Sequence, residues 1–494
     1  MIINNFDDIS SPDFTIIGAG PASITLALEL EKKGKSVLIL EAGSRYYEEK
    51  SQEFYKGEIF GDDYFELDHC RLRFLGGGTG HYNGRLHPYD ELDFKEWPIK
   101  KRDLDPFANK TNEIFEIKKN FHESPSLLKN FYLASHIVSP IRFGEKYYNN
   151  LEKSKKIFLH FNSPVLLIEQ STENKNKVGS LIVYSNKSKK KIKVNNLVLA
   201  CGGIENSRLL LWSRNNSNTN FLKETPIGNY WMEHPSGSVG HFIGEKNKLV
   251  EVFDNQLETR NLYLVPNPEF VKKKNINNAR ILIYLNSEAE FLNKSFEHYV
   301  KDLLCVAPVY GKKIVESLQK NLMLHCNATV QIQSEMKPDF DNRLILSKNK
   351  SDAHGIPRIE LHWKVRDDFF DSSNVILSEL GKEFIKLDVG RIGIDRFIFD
   401  KTLENIQTYR GNTPYSKFIR TYHTSNVFGG YHHMGGTRMG KNKMDSVVDS
   451  NLKVHGLDNF YIAGSSVFPS GGHWNPTYTI VQMSLRLAEY LNSQ

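Results

Sequence analysis

Residues 14–43 read FTIIGAGPASITLALELEKKGKSVLILEAG, and their pattern decides the fold. An apolar run over 14–17 enters a turn carrying Gly18 and Gly20. A helical pattern follows over 22–33, and a second apolar run over 37–40 ends at Glu41. Strand, glycine turn, helix and strand in this order predict a dinucleotide-binding unit. Gly18 makes the tight turn, and Gly20 lets the backbone approach a pyrophosphate whose charge the helix N-terminus holds. Glu41, closing the second strand, can accept hydrogen bonds from an adenosine ribose. Ser23 stands at the third fingerprint position, where a small side chain still permits close helix–strand contact.

Working outward, 494 residues exceed one simple core and predict two or three domains. Hydrophobic content of 39% and charged content of 25% fit a globular enzyme with a polar surface. The formal net charge of +6 rests on 64 basic against 58 acidic residues. Lysines in polar segments such as 189–193 read as solvated turns, and no nucleic-acid module is evident. Cys70, Cys201, Cys305 and Cys326 are far apart and form no C-x-x-C pair, which fits a reducing compartment. The amino-terminal residues lack the basic start and apolar core of a secretory signal. No apolar run approaches the length of a membrane span, so a cytoplasmic protein is expected.

Residues 72–85, LRFLGGGTGHYNGR, carry Gly76, Gly77, Gly78 and Gly80 just before His81. Such a loop brings backbone N–H groups close to a ligand. Helices are predicted over 103–115 and 126–136. Strand-like runs follow over 157–161, 165–169 and 179–184, then an apolar strand over 193–200 runs into Cys201-Gly202-Gly203 and a helix over 205–212. Between 238 and 428 the pattern changes to strands at 239–243, 262–265, 279–285, 326–332, 344–346 and 358–362. Helices at 296–304, 312–318 and 369–387 complete a sheet covered on one face. The closing part carries YHHMGGTRMG over 431–440, a strand over 460–463 leading to Gly464-Ser465, GGHWNP over 471–476, and a terminal amphipathic helix over 477–491.

Taken in order, GAGPAS with Glu41, GGGTGHYNG, VNNLVLACGGIENSRLL, NYWMEHP, HHMGGTRMG, VVDSNLKVHGLDNFYIAGSSVFPS and NPTYTIVQMSLRLAEYL span the whole chain. The chain resembles the glucose–methanol–choline (GMC) family of flavin oxidoreductases. The resemblance implies an α/β fold: a discontinuous FAD-binding Rossmann-like domain and an α+β substrate domain built on an antiparallel sheet. The expected division is 1–105, 155–237 and 431–494 for the FAD domain, 106–154 for a helical cover near the active site, and 238–430 for the substrate domain.

The implied reaction is oxidation of an alcohol by hydride transfer to flavin N5. The family's catalytic histidine falls on His433, and its second catalytic position on Asn475. The ribose acid falls on Glu41 and the adenine-side valine on Val165. Gly18, Gly20, Ser23, Gly77, Gly78, Asn83, Gly202, Gly464, Ser465 and Pro476 complete the expected cofactor contacts. Some members of the family link the flavin to a histidine of the first glycine-rich loop, which here is His81. A packing role for His81 stays open beside covalent attachment.

Alcohol oxidation needs a base for the hydroxyl proton, and a neutral imidazole suits that work near neutral pH. The Asn475 amide can hold the substrate oxygen. His432 is expected to support its loop, His473 to line the pocket entrance, and His234 to pin a turn. No metal is expected, because the histidines show no carboxylate ligand spacing. A sugar or sugar-like polyol is the favoured substrate. A non-sugar primary alcohol, or flavin-dependent lyase or isomerising chemistry, is the alternative. Oxygen, a quinone or a redox protein is the electron acceptor, with dehydrogenase behaviour favoured, and a homo-oligomer is left open.

Overall fold

The computed structural model describes all residues except 7–8, 10, 120, 122, 135, 217–221, 245, 254–260, 286–327, 404–407, 410–421 and 424–425. The helices expected at 296–304 and 312–318, together with Cys305 and Cys326, lie outside the described residues.

Phe14–Ile17 and Val37–Leu40 are buried at every position, as strands covered on both faces must be. They form the centre of a six-stranded sheet ordered Ile2–Ile3, Ile157–His160, Val37–Leu40, Phe14–Ile17, Asn196–Leu199 and Phe460–Ile462. All its pairings are parallel. Strands from the start, middle and end of the chain thus share one sheet, which makes the nucleotide-binding unit discontinuous. Pro21 opens the first helix, Pro21–Lys32, where its missing N–H costs nothing. The helix stops at Gly34, whose φ of 81° lets Gly34 and Lys35 return N–H bonds to Glu31 and Leu30. It packs against the terminal helix, Thr477–Asn492.

Val165–Gln170, Val178–Ser185 and Ser188–Lys193 form a three-stranded antiparallel excursion. The lysines of 189–193, expected in a solvated turn, instead sit on its outer strand. Exposed charge there guards an unpaired edge. The apolar strand proper is confined to Asn196–Leu199.

A second, eight-stranded sheet runs Gly390–Ile394, Ser236–Gly244, Ala328–Ser334, Ala279–Leu285, Asn261–Pro266, Phe131–Ala134 and Glu123–Pro125, with Val427–Phe428 also paired to Ser236–Gly244. Every pairing in it is antiparallel. One face is apolar, where Ile281 opposes Ile332 and Ile283 opposes Val330, all buried. Helix Asp367–Lys386 packs against this sheet, with Phe384 edge-on to Phe242 at 5.8 Å. On the other face Arg280 opposes Gln333, and Leu282 opposes Gln331.

The helix expected over 126–136 is not formed. Ser126 instead turns the chain by accepting the Leu128 N–H and donating to the Phe131 carbonyl. Phe131–Ala134 then pairs with Asn261–Pro266. The region 106–154, expected as a helical cover, therefore also contributes strands to the antiparallel sheet. A third pairing joins Gly57–Gly61, in parallel, to Pro357–Trp363 of the hairpin with Arg343–Ser351. Among the described residues no helix is long and apolar enough to cross a membrane.

Candidate active site

A cavity of about 400 Å³ opens along the carboxyl ends of the parallel strands, the position where this class of sheet takes its ligand. Its wall includes Gly18, Gly20, Glu41, Gly77, Gly78, His81, Asn83, Val165, Gly202, Gly464, Ser465, Asn475 and Pro476, as well as His433. Ser23 is absent from that wall. Its side chain is fully buried within the helix packing, so it acts on the cavity only through the position of the helix.

Two classes of glycine shape the cavity. Gly18 has φ of 95°, and a Cβ there would lie 2.6 Å from the Ala200 carbonyl oxygen. Gly20, Gly78, Gly202 and Gly464 are different, because a Cβ on any of them would meet no protein atom within 4 Å. These four leave room for something other than the chain itself. Gly20 caps helix Pro21–Lys32, whose first N–H groups point toward the cavity and favour negative charge.

Glu41 fastens this turn. Its Oε2 accepts the Ala19 N–H at 2.8 Å and its Oε1 the Gly43 N–H at 2.7 Å. Burial raises the carboxyl pKa, while these bonds and Arg73 oppose the rise. Each oxygen retains acceptor capacity for a ribose hydroxyl. The glycine cradle, the helix terminus and the acid together fit an extended dinucleotide such as FAD.

His433 is 8% exposed and its Nε2 has no hydrogen-bond partner among the described residues. The ring stacks near Trp231 at 6.0 Å and lies 6.2 Å from Tyr64. Burial lowers its pKa to about 3, with Arg71 and His81 adding to the effect. The imidazole is therefore neutral, and its lone pair is available. Its backbone is fixed by Ser465, whose Oγ donates to the His433 carbonyl at 2.6 Å. Gly203 permits the close approach of the next helix, since a Cβ there would lie 2.3 Å from the same carbonyl oxygen.

The preceding residue is held differently. The His432 N–H donates to the Glu233 carboxylate at 2.9 and 3.0 Å, which also accepts from Tyr64 and from the His234 N–H. His234 Nε2 faces the Gly471 carbonyl at 3.1 Å and must donate. Burial holds His234 neutral, its pKa lowered to about 3. Its Nδ1 is then an acceptor, so His432 Nδ1 donates across their 2.8 Å contact. Both histidines pin the loop that carries His433.

Asn475 lies just before the terminal helix, and its Oδ1 is 3.5 Å from Gln333 Nε2, which also donates to the His473 carbonyl at 2.8 Å. Gln333 thereby ties the antiparallel sheet to the loop that carries Asn475. His81 is half-buried, with its pKa lowered to about 4 by burial and by Arg142. Its ring lies 5.7 Å from Tyr431.

His473 departs from expectation. It is fully buried and does not line the cavity; its Nε2 lies 3.6 Å from Asp90 Oδ2 and its Nδ1 3.7 Å from Asp93 Oδ1. These three side chains are close enough to resemble a metal-ligand set, although no spacing in the sequence joins them. Their carboxylates already have protein donors: Asp90 Oδ2 accepts from Trp474 Nε1 and Tyr132, and Asp93 Oδ1 from Asn278. The group is a buried polar brace behind Asn475. Arg71, Tyr64, Glu233 and Gln333 were missed by sequence reasoning. Only Arg71 carried a local signal, a cation just ahead of the glycine-rich loop. It pairs with Glu205 at 2.7 Å and donates to the Tyr55 carbonyl.

Residues 338–484 match the family model described as GMC oxidoreductase. The large subunit of fructose dehydrogenase from Gluconobacter japonicus is 24% identical over 68% of this chain, so the match spans about half, 54%, of that protein's length. The 2-methyl-1,2-propanediol dehydrogenase of Mycolicibacterium austroafricanum is 22% identical over 97% of this chain and 95% of its own. Among solved structures, pyridoxine 4-oxidase from Mesorbium loti shares the fold with a TM-score of 0.57 at 14% identity, covering 98% of this chain and 100% of that one. The matched carboxy-terminal segment contains both His433 and Asn475 and is similar to the GMC oxidoreductases there, while the fold is shared with that oxidase along nearly the whole chain.

Proposed function

We propose that the chain oxidises the hydroxyl of a sugar or sugar-like polyol, with His433 as base and Asn475 as the residue that positions the substrate oxygen. One observation carries this reading: an unpartnered neutral imidazole and a carboxamide line the same cavity as the open glycine cradle. When bound, FAD supplies the hydride acceptor. Gly20, Gly78, Gly202 and Gly464 would hold it, with Glu41 and Val165 on its nucleotide side. His433 Nε2 takes the hydroxyl proton, and the Asn475 amide donates to the oxygen on which negative charge develops. Glu233, His234 and His432 keep the base from turning away.

Two relatives, a fructose dehydrogenase and a 2-methyl-1,2-propanediol dehydrogenase, support an alcohol donor and favour a dehydrogenase over an oxidase. The second of these matches nearly the whole chain, which makes a non-sugar primary alcohol the second reading. Anaerobic mixing of the flavin-loaded protein with sugars and with primary alcohols tests both. Bleaching by sugars alone supports the first reading and bleaching by simple primary alcohols the second. Product formed without net flavin reduction would replace either with lyase or isomerising chemistry.

His81 is the residue that would carry a covalent flavin. Its neutral imidazole lines the cavity beside Gly77 and Gly78, and the neutral form is the nucleophile. After acid denaturation, an intact mass that includes the flavin, lost in His81→Ala, would establish the bond. Complete release from the wild type would assign His81 a packing role.

A further inference from the structure

We propose that the polar face of the antiparallel sheet holds a subsite for an anionic group of the substrate, a carboxylate or a phosphate monoester, with Arg280 as its principal ligand. The place of the subsite rests on alcohol oxidation at His433 and Asn475; its chemistry rests on Arg280 itself. Arg280 lies on strand Ala279–Leu285 and is 6% exposed. A guanidinium stays protonated, and a buried charge is costly unless it is paired. Arg71 and Arg208 obey this rule, the first bound to Glu205 and the second to Glu205 and Asp352. Arg280 does not. Among the described residues it has no carboxylate partner, and its Nη1 makes no hydrogen bond.

Its surroundings add one further positive charge and no compensating anion among the described residues. The Arg85 charge acts on it, as do the Tyr263 and Tyr284 hydroxyls. His136 stands edge-on to Tyr263 at 4.8 Å, and its Nδ1 is also unpartnered. Burial, with Arg280 and Arg85, lowers the His136 pKa to about 3. Attraction from the protein comes from the face of Trp474, 5.1 Å from the guanidinium carbon. A compact anion would satisfy the Arg280 guanidinium through paired N–H donors, a geometry that suits carboxylate and phosphate oxygens.

The location suits a substrate's far end. Trp474 directly precedes Asn475, and Arg280 is in register with Gln333, whose amide reaches Asn475. An alcohol held by Asn475 could extend an acidic substituent along this face. The substrate class that follows is a hydroxylated acid or phosphorylated polyol, such as a sugar acid.

The flavin-loaded protein would be titrated with sodium acetate and sodium phosphate at constant ionic strength, following the flavin absorption spectrum. D-glucose, D-glucuronate and D-glucose 6-phosphate would then be compared by binding and by anaerobic flavin reduction. Saturable binding of acetate or phosphate is expected, and the corresponding anionic sugar should bind on the order of 10²-fold tighter than glucose. Arg280→Gln should erase that ratio, and Arg280→Lys should restore part of it. Should Arg280→Gln fail to hold flavin, the wild-type titrations and Arg280→Lys decide the question. Absence of saturable anion binding to the wild type would overturn the subsite even if glucose bleached the flavin. Anion binding that depends on Arg280, without bleaching by any of the three sugars, would keep the subsite and remove the assigned sugar oxidation.

Discussion

Burial holds the His433 imidazole neutral down to about pH 3, so its Nε2 offers a lone pair to the cavity across the physiological range. As the proposed base, such an imidazole is weak when isolated. It gains strength as the alkoxide forms, because negative charge beside it stabilises the imidazolium. His433→Ala should keep flavin yet slow its reduction by roughly 10²–10⁴-fold, as read by stopped-flow absorbance under anaerobic conditions. A near-normal reduction rate would move the base elsewhere. The wild-type reduction rate should be flat between about pH 5 and pH 8, since protonation of free His433 lies below that window. His433 was legible because a His-x-x-Gly-Thr spacing distinguishes it from His432. His473 was not, since the acids that enclose it, Asp90 and Asp93, come from the opposite end of the chain.

At the scale of elements, the glycine turn separates folding from cofactor binding. Gly18→Ala would force a methyl to 2.6 Å from the Ala200 carbonyl oxygen at a positive φ, and should cost about 1–3 kcal/mol of stability. Gly20 has φ of −86°, and its Cβ would face open space. Gly20→Ala should therefore leave the stability of the flavin-free protein within about 0.5 kcal/mol of wild type while weakening FAD binding. Urea unfolding of the apoprotein and flavin titration would separate the two effects; equal damage by both substitutions would refute the distinction. The buried strands around this turn were readable from their continuous apolar runs. The segment 126–136 was misread because its apolar residues suit either period, and only pairing with Asn261–Pro266 makes it a strand. Such pairing between distant segments leaves no local trace.

Over the whole molecule, several buried groups pull stability in opposite directions as pH changes. His81, with a pKa lowered to about 4, and His87, His136, His234 and His433, each lowered to about 3, stay neutral in the fold. In the unfolded chain they protonate near pH 6.5. As pH falls through 6.5 toward 4, the unfolded state takes up these protons and the native state does not, so stability falls. Burial raises Glu41, Glu233 and Glu335 instead. Those carboxyls retain protons in the fold above the pH at which the unfolded chain releases them, and their contribution weakens as pH rises. A single substitution isolates one side of this balance. His87 stacks on Trp474 at 3.8 Å and bonds the Pro88 carbonyl through Nδ1, and glutamine can supply a similar donor without titrating. Between about pH 4 and pH 6, His87→Gln should flatten the fall of unfolding free energy by about 1.4 kcal/mol per pH unit. Denaturant unfolding of the flavin-saturated protein at several pH values measures that slope. A slope equal to wild type would mean that His87 protonates inside the fold, and that burial beside Trp474 is looser than the stacked ring implies.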